Sequence, residues 1–109
     1  MTPNDYRRSS ARTRNHDLIV QDEKLNAALG LGEAGELQNI VKKEIYHGHP
    51  EDPAKILDEA GDILYYLDWL LDCYHFTLED AMQHNVNKLA ARYPSGFNSE
   101  ASIHRTVDD

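Results

Sequence analysis

The densest run of apolar positions lies between Leu57 and Leu71. Ile63, Leu64, Tyr65, Leu67, Leu70 and Leu71 cover most of the circumference of a helix there. A helix that is apolar nearly all round is an enclosed one, covered by its own chain or by a partner. Upstream, Leu25, Leu29, Glu33, Glu36, Leu37, Ile40 and Val41 follow three-and-four spacing, which predicts a helix from about Asp22 to Tyr46. Asp22 and Glu23 suit its positive end, and Lys42 and Lys43 suit its negative end. Gly30, Gly32 and Gly35 interrupt this pattern, and each costs about 1 kcal/mol relative to Ala in a helix interior. They predict either a break near Gly30 or the close approach of another backbone or a ligand. Their placement around Glu33 and Glu36 favours close approach.

His47-Gly48-His49-Pro50-Glu51-Asp52 reads as a loop, with Gly48 as a helix stop and Pro50 barring continuation. The apolar helix starts near Asp52, with Pro53 at its first position, and runs to about His75. Thr77 is an N-cap with Asp80 three residues on, a variant of the capping box. The last helix, roughly Leu78 to Arg92, ends before Pro94-Ser95-Gly96. No strand alternation and no internal repeat is visible. The predicted fold is all-α, an antiparallel helical bundle of three to four helices with short connections. Residues 1–16 are a basic arm or a short helix around Asn4–Thr13, residues 17–97 form the helical domain, and residues 98–109 are a flexible C-terminal tail. The 57–71 helix is more apolar than three short helices of one chain can cover, which predicts completion of the bundle by oligomerisation, with a two-fold dimer as the minimum.

Charge sharpens the picture. The 109 residues carry a net −8, unevenly spread: residues 1–16 are positive through Arg7, Arg8, Arg12 and Arg14, while residues 17–84 set four lysines against fifteen acids. An acidic centre argues against a nucleic-acid duplex as ligand and suits a cation site. Acids interrupt every apolar run before it reaches membrane-spanning length, and no apolar leader segment is expected at the N-terminus. Cys73 is the single cysteine, so an intrachain disulfide is excluded, which fits a reducing cytoplasm. It reads as a small buried hydrophobe.

Four acids carry the candidate chemistry. Glu59 and Asp62 are three residues apart and so share one face of a helix with little polar surface to spare; Glu33 and Glu36 form a second such pair. Like charges beside a low-dielectric core are costly unless a cation lies between them. The loop midpoint is farther from the first pair than from the second, an offset that the loop and uneven helix ends can absorb. The pairs would then face each other. Oxygen donors without cysteine describe a hard-cation site, with Mg²⁺ first and Mn²⁺ as a substitute. Mg²⁺ keeps several waters and is usually completed by substrate phosphates. On the last helix Asn85, Lys88 and Arg92 share one face, with Tyr93 at its end, and the two cations suit a triphosphate. Trp69 and Tyr66 lie beyond Asp62 and are read as core or subunit packing, with stacking on a nucleobase as the alternative. His47 and His49 are read as solvent-exposed loop residues, with a lid as the alternative.

The run Gly30-Leu31-Gly32-Glu33-Ala34-Gly35-Glu36, then Lys42-Lys43, then Asp58-Glu59-Ala60-Gly61-Asp62-Ile63-Leu64-Tyr65-Tyr66-Leu67, then Asn85, Lys88, Leu89, Arg92-Tyr93-Pro94, Gly96 and Phe97 resembles the MazG-like nucleoside triphosphate pyrophosphohydrolases. The resemblance covers about residues 26–97. It implies hydrolysis of a nucleoside triphosphate to the monophosphate and pyrophosphate by water attack at the α-phosphorus. In that reading Glu33, Glu36, Glu59 and Asp62 hold Mg²⁺ and one of them orients the water. Asn85, Lys88, Arg92, Tyr93 and, if it stacks on the base, Trp69 contact the substrate. It also implies a homodimer or homotetramer. Two other readings compete. A ferritin-like di-iron bundle would use Glu44 with His47 and Asp72 with His75, but Glu44 is about 12 Å along the helix from Glu36. A non-catalytic helical interaction module would use the 57–71 helix as its partner surface and would need no intact set of acids.

Overall fold

Helix α4, Pro53–Cys73, is the element on which the others assemble: α1 (Pro3–Ala11), α2 (Val20–Gly30) and α3 (Glu33–Tyr46) all pack against it. Helices α5 (Leu78–Arg92) and α6 (Ser99–Ile103) follow. The computed structural model describes residues 1–103 apart from His16, Leu18 and Asn98. Among the described residues there is no strand, and Pro94 and Gly96 form an isolated bridge. The chain is all-α, with α2–α5 as its principal helices. Within the expected C-terminal tail Ser99–Ile103 form α6, while Asn98 and residues 104–109 lie outside the described residues.

The helix expected from Asp22 to Tyr46 is two helices. α2 ends at Gly30 and α3 begins at Glu33, with Leu31 and Gly32 between them. The glycines explain the division. A side chain at Gly30 would overlap the ring of Tyr66 from α4, whereas Gly35 has open space where a side chain would stand. The close approach therefore occurs at Gly30 and is made by an aromatic ring of the same chain.

The ends of α4 are specified locally. At its start the Asp52 carboxylate accepts a hydrogen bond from the Lys55 N–H at 3.2 Å, and Pro53 occupies the first turn, where its missing N–H costs nothing. At its end the Phe76 N–H donates to the Leu71 carbonyl (2.9 Å) and the His75 N–H to the Asp72 carbonyl (3.0 Å). This is a Schellman arrangement, with His75 (φ 65°) in the left-handed position where glycine is usual. The expected Thr77–Asp80 capping box then starts α5.

α1 is held by charge. Thr2 and Asp5 form a capping box at its start. Arg7 pairs with Asp68 at 2.9 Å and with Asp72 at 3.2 Å, and Arg14 pairs with Asp72 at 2.6 Å. Asp68 is only 1% exposed. Leaving such a carboxylate without its cations would cost about 3–5 kcal/mol. The Arg14 guanidinium also lies 5.6 Å from the centre of the Trp69 ring, and the Thr13 and Tyr65 hydroxyls meet at 2.8 Å.

Little else is enclosed. Ala27, Trp69 and Leu78 are the buried apolar residues among those described, and Met82, Val86 and Leu89 along α5 are exposed. The radius of gyration is 17.2 Å, where a compact chain of this length has about 13 Å. Two substitutions separate the roles of the glycines. Gly30→Ala should destabilise by about 1–3 kcal/mol through overpacking on Tyr66, and Gly35→Ala should stabilise by up to about 1 kcal/mol through helix propensity, both read by urea denaturation.

Candidate active site

Glu33 stands at the first residue of α3 and Glu36 one turn later; both fall in the helix's first turn. The turn at Leu31–Gly32 thus puts the start of α3 beside two carboxylates, with the Ala34 and Gly35 N–H groups donating to the Leu31 and Gly32 carbonyls at 3.1 and 2.8 Å. Glu59 and Asp62 lie in the first half of α4. The six-residue loop 47–52 joins α3 and α4, which pack on each other as antiparallel neighbours. Glu33-Ala34-Gly35-Glu36 and Glu59-Ala60-Gly61-Asp62 are the same tetrapeptide but for the last acid, and the hairpin sets one against the other.

Oxygens of Glu33, Glu59 and Asp62 come within 4.8 Å of one another. The loop absorbs the unequal distances of the two pairs from its midpoint. Glu36 is not in this tight group; it lines an adjoining cleft with Glu59. A hydrogen bond with Glu33 holds the Glu59 carboxyl above its usual range, aided by burial and then by the charges of Glu33, Asp62 and Glu36. Glu59 Oε2 is buried without a hydrogen-bond partner. An orphaned carboxylate oxygen among other carboxylate oxygens is a donor set that suits a hard divalent cation. No histidine joins this group among the described residues, and Asp72, which the di-iron reading needs, is engaged by Arg7 and Arg14.

The cleft beside Glu36 and Glu59 has a volume of about 320 Å³ and is also lined by Lys43, Lys55 and His49. In the sequence Lys43 reads as a helix-end charge and as part of the family-like motif, whereas Lys55 is not marked as a site residue. The signal was present: Lys55 is one turn before Glu59 on α4, and Lys43 is two turns after Glu36 on α3. His49 enters from the loop.

The other expected residues lie elsewhere. Asn85, Lys88 and Arg92 are carried on α5, which packs only lightly on the remaining helices. The Tyr93 ring stands 5.6 Å from that of Phe97. Trp69 is 4% exposed, edge-on to Tyr65 and beside Arg14; its ring is used in packing. Tyr66 is likewise committed to Gly30. A larger groove of about 730 Å³, lined by Leu71, His75, Phe76, Ala81 and His84 among others, lies at the opposite end of α4 from the acids.

No helix among the described residues is long and apolar enough to cross a membrane. Comparison with curated proteins gives no match, and neither does comparison with solved structures. The family model of the MazG nucleotide pyrophosphohydrolase domain matches residues 21–97, from the first turn of α2 to just past α5, with α1 outside the matched span. A match over this much of the chain, on a fold that brings acids of α3 and α4 together, places the protein in the MazG nucleotide pyrophosphohydrolase family.

Proposed function

We propose that the protein hydrolyses (deoxy)nucleoside triphosphates to the monophosphate and pyrophosphate, with water attacking the α-phosphorus and a Mg²⁺ ion held by Glu33, Glu36, Glu59 and Asp62. The observation that carries this reading is the orphaned Glu59 oxygen among the acids of α3 and α4. When bound, Mg²⁺ supplies neutralisation of phosphate charge and a lowered pKa for bound water. The chain's own groups do the rest. Glu33, Glu59 and Asp62 would hold the ion, with Glu36 completing the set from the adjoining cleft and also orienting the attacking water. Lys43 and Lys55, on the walls of that cleft, offset the charge of the polyphosphate. Asn85, Lys88, Arg92 and Tyr93 contact the substrate from α5.

The same reading includes a homo-oligomer, at least a dimer. The chain exposes 8165 Å², whereas a compact monomer of 12.4 kDa exposes about 6100 Å². The excess is larger than the roughly 800 Å² that each partner buries in a standard interface. The exposed side chains of α5 and of Leu25, Leu29, Ile45 and Leu57 are apolar enough for such a role. Sedimentation at micromolar concentration should give a dimer or tetramer; a monomer would contradict the assembly.

Two further outcomes are expected. A panel of triphosphates assayed with Mg²⁺ should yield pyrophosphate and the matching monophosphate, with no activity in EDTA. Glu59→Gln and Glu36→Gln should each lower kcat/KM by about 100-fold or more, the order lost with one charge-stabilising group; release of inorganic phosphate instead would place the attack at another phosphorus. The second outcome concerns pH. Because the Glu59 carboxyl is held above its usual range, the metal-free protein loses stability as pH rises through that value and the group ionises. The rise in Tm on adding Mg²⁺ should therefore be largest above that pH and fade below it as protons compete with the ion. In Glu59→Gln, melting curves should show a smaller rise with that pH dependence removed.

A further inference from the structure

We propose that Arg7 is a positioning residue for α5: it pins the elbow between α4 and α5 and so fixes where α5 carries Asn85, Lys88 and Arg92. The assignment rests on the pyrophosphohydrolase reading for the role of those three residues, and on geometry alone for the pin.

One guanidinium reaches both α4 and the elbow. Arg7 Nε and Nη2 donate to the Asp68 carboxylate, Nη2 at 2.9 Å, and Nη1 donates to Asp72 at 3.2 Å. Nη2 also donates to two backbone carbonyls, that of Asp68 at 3.2 Å within α4 and that of Phe76 at 2.7 Å within the elbow. Arg7 thus ties α4 and the elbow to a helix that lies outside the matched family span.

The elbow needs such a tie. It passes through His75 in the left-handed conformation, which is unfavourable for a residue with a Cβ. Leu78 is buried, while Met82, Val86 and Leu89 are exposed, and α5 packs only lightly on the other helices. From Leu78 to Arg92 the helix rises about 21 Å, so a swing of about 10° at the elbow moves its far end by about 4 Å. Misplacement of about 1 Å can cost on the order of 100-fold in rate, so a small change at Arg7 is magnified at Lys88 and Arg92.

Arg14 provides the internal comparison. It pairs with the same two carboxylates and donates a hydrogen bond to Asp72 at 2.6 Å, whereas the elbow carbonyl of Phe76 accepts from Arg7. Arg7→Lys keeps one charge near Asp68 but cannot fork to Phe76 at the same time; Arg14→Lys perturbs the ion cluster without touching the elbow. Spin labels at Ala54 on α4 and Ala91 on α5, in a Cys73→Ser background and diluted with unlabelled chains, read the distance between the helices within one chain.

Arg7→Lys should broaden that distance distribution and raise KM for the triphosphate by about 10-fold or more, with the Mg²⁺ concentration that half-saturates the metal-induced rise in Tm unchanged within about two-fold. Arg14→Lys should leave both the distribution and KM as in the wild type. An unchanged distribution in Arg7→Lys, an equal broadening in Arg14→Lys, or a broadened distribution with unaltered KM would each overturn the assignment. The distance measurement needs no turnover. Failure of every triphosphate to react would count against the pyrophosphohydrolase reading, while the distances would still decide whether Arg7 pins the elbow.

Discussion

Glu33, Glu59 and Asp62 are held together against their mutual repulsion, and the layout of the chain follows from that constraint. Bringing like charges within 4.8 Å requires a scaffold that does not yield, because each carboxylate would lower its energy by turning to water. The α3–α4 pairing supplies the scaffold. The strain that remains is concentrated at Glu59, where a raised pKa and an unpartnered oxygen coincide.

α4 carries two pairs of acids, and their fates differ. Asp68 and Asp72, one turn apart in its second half, are answered within the chain by Arg7 and Arg14. Glu59 and Asp62, in its first half, are answered by more acids. The first pair is a structural joint. The second is set among further acids, the pattern expected of a candidate cation site rather than of a fold contact. Proximity of acids alone would not separate the two; the identity of their neighbours does.

Much of this was legible in the sequence because it is local. Helix periods, the Pro53 start, the Gly48 stop, the Thr77–Asp80 box and the two acid pairs all depend on residues within a turn or two of one another. The split of the 22–46 helix was half legible: the glycines marked the place, but that the ring of Tyr66 fills the space at Gly30 depends on a residue thirty-six positions away. The joint between Arg7 or Arg14 and Asp68 or Asp72 was not legible for the same reason. Basic residues near the N-terminus read equally as a solvated arm or as a short helix, and acids inside an apolar helix read as interruptions, until folding sets one against the other. Lys55 was overlooked for a simpler reason. A lysine one turn ahead of an acid is the commonest of surface pairs, and only the cleft distinguishes this one.

The twin tetrapeptides Glu33-Ala34-Gly35-Glu36 and Glu59-Ala60-Gly61-Asp62 stand on antiparallel neighbours, yet they do not contribute alike. Both acids of the second and only Glu33 of the first enter the tight group, while Glu36 lines the adjoining cleft with Lys43 and Lys55. The acid cluster therefore has a polarity of its own, with the lysines on the side of Glu36. On the proposed reading a triphosphate, with a nucleoside at one end and a bare phosphate at the other, would take its direction from that asymmetry. Binding a cation and telling one end of a substrate from the other would then be separable tasks, carried by different residues.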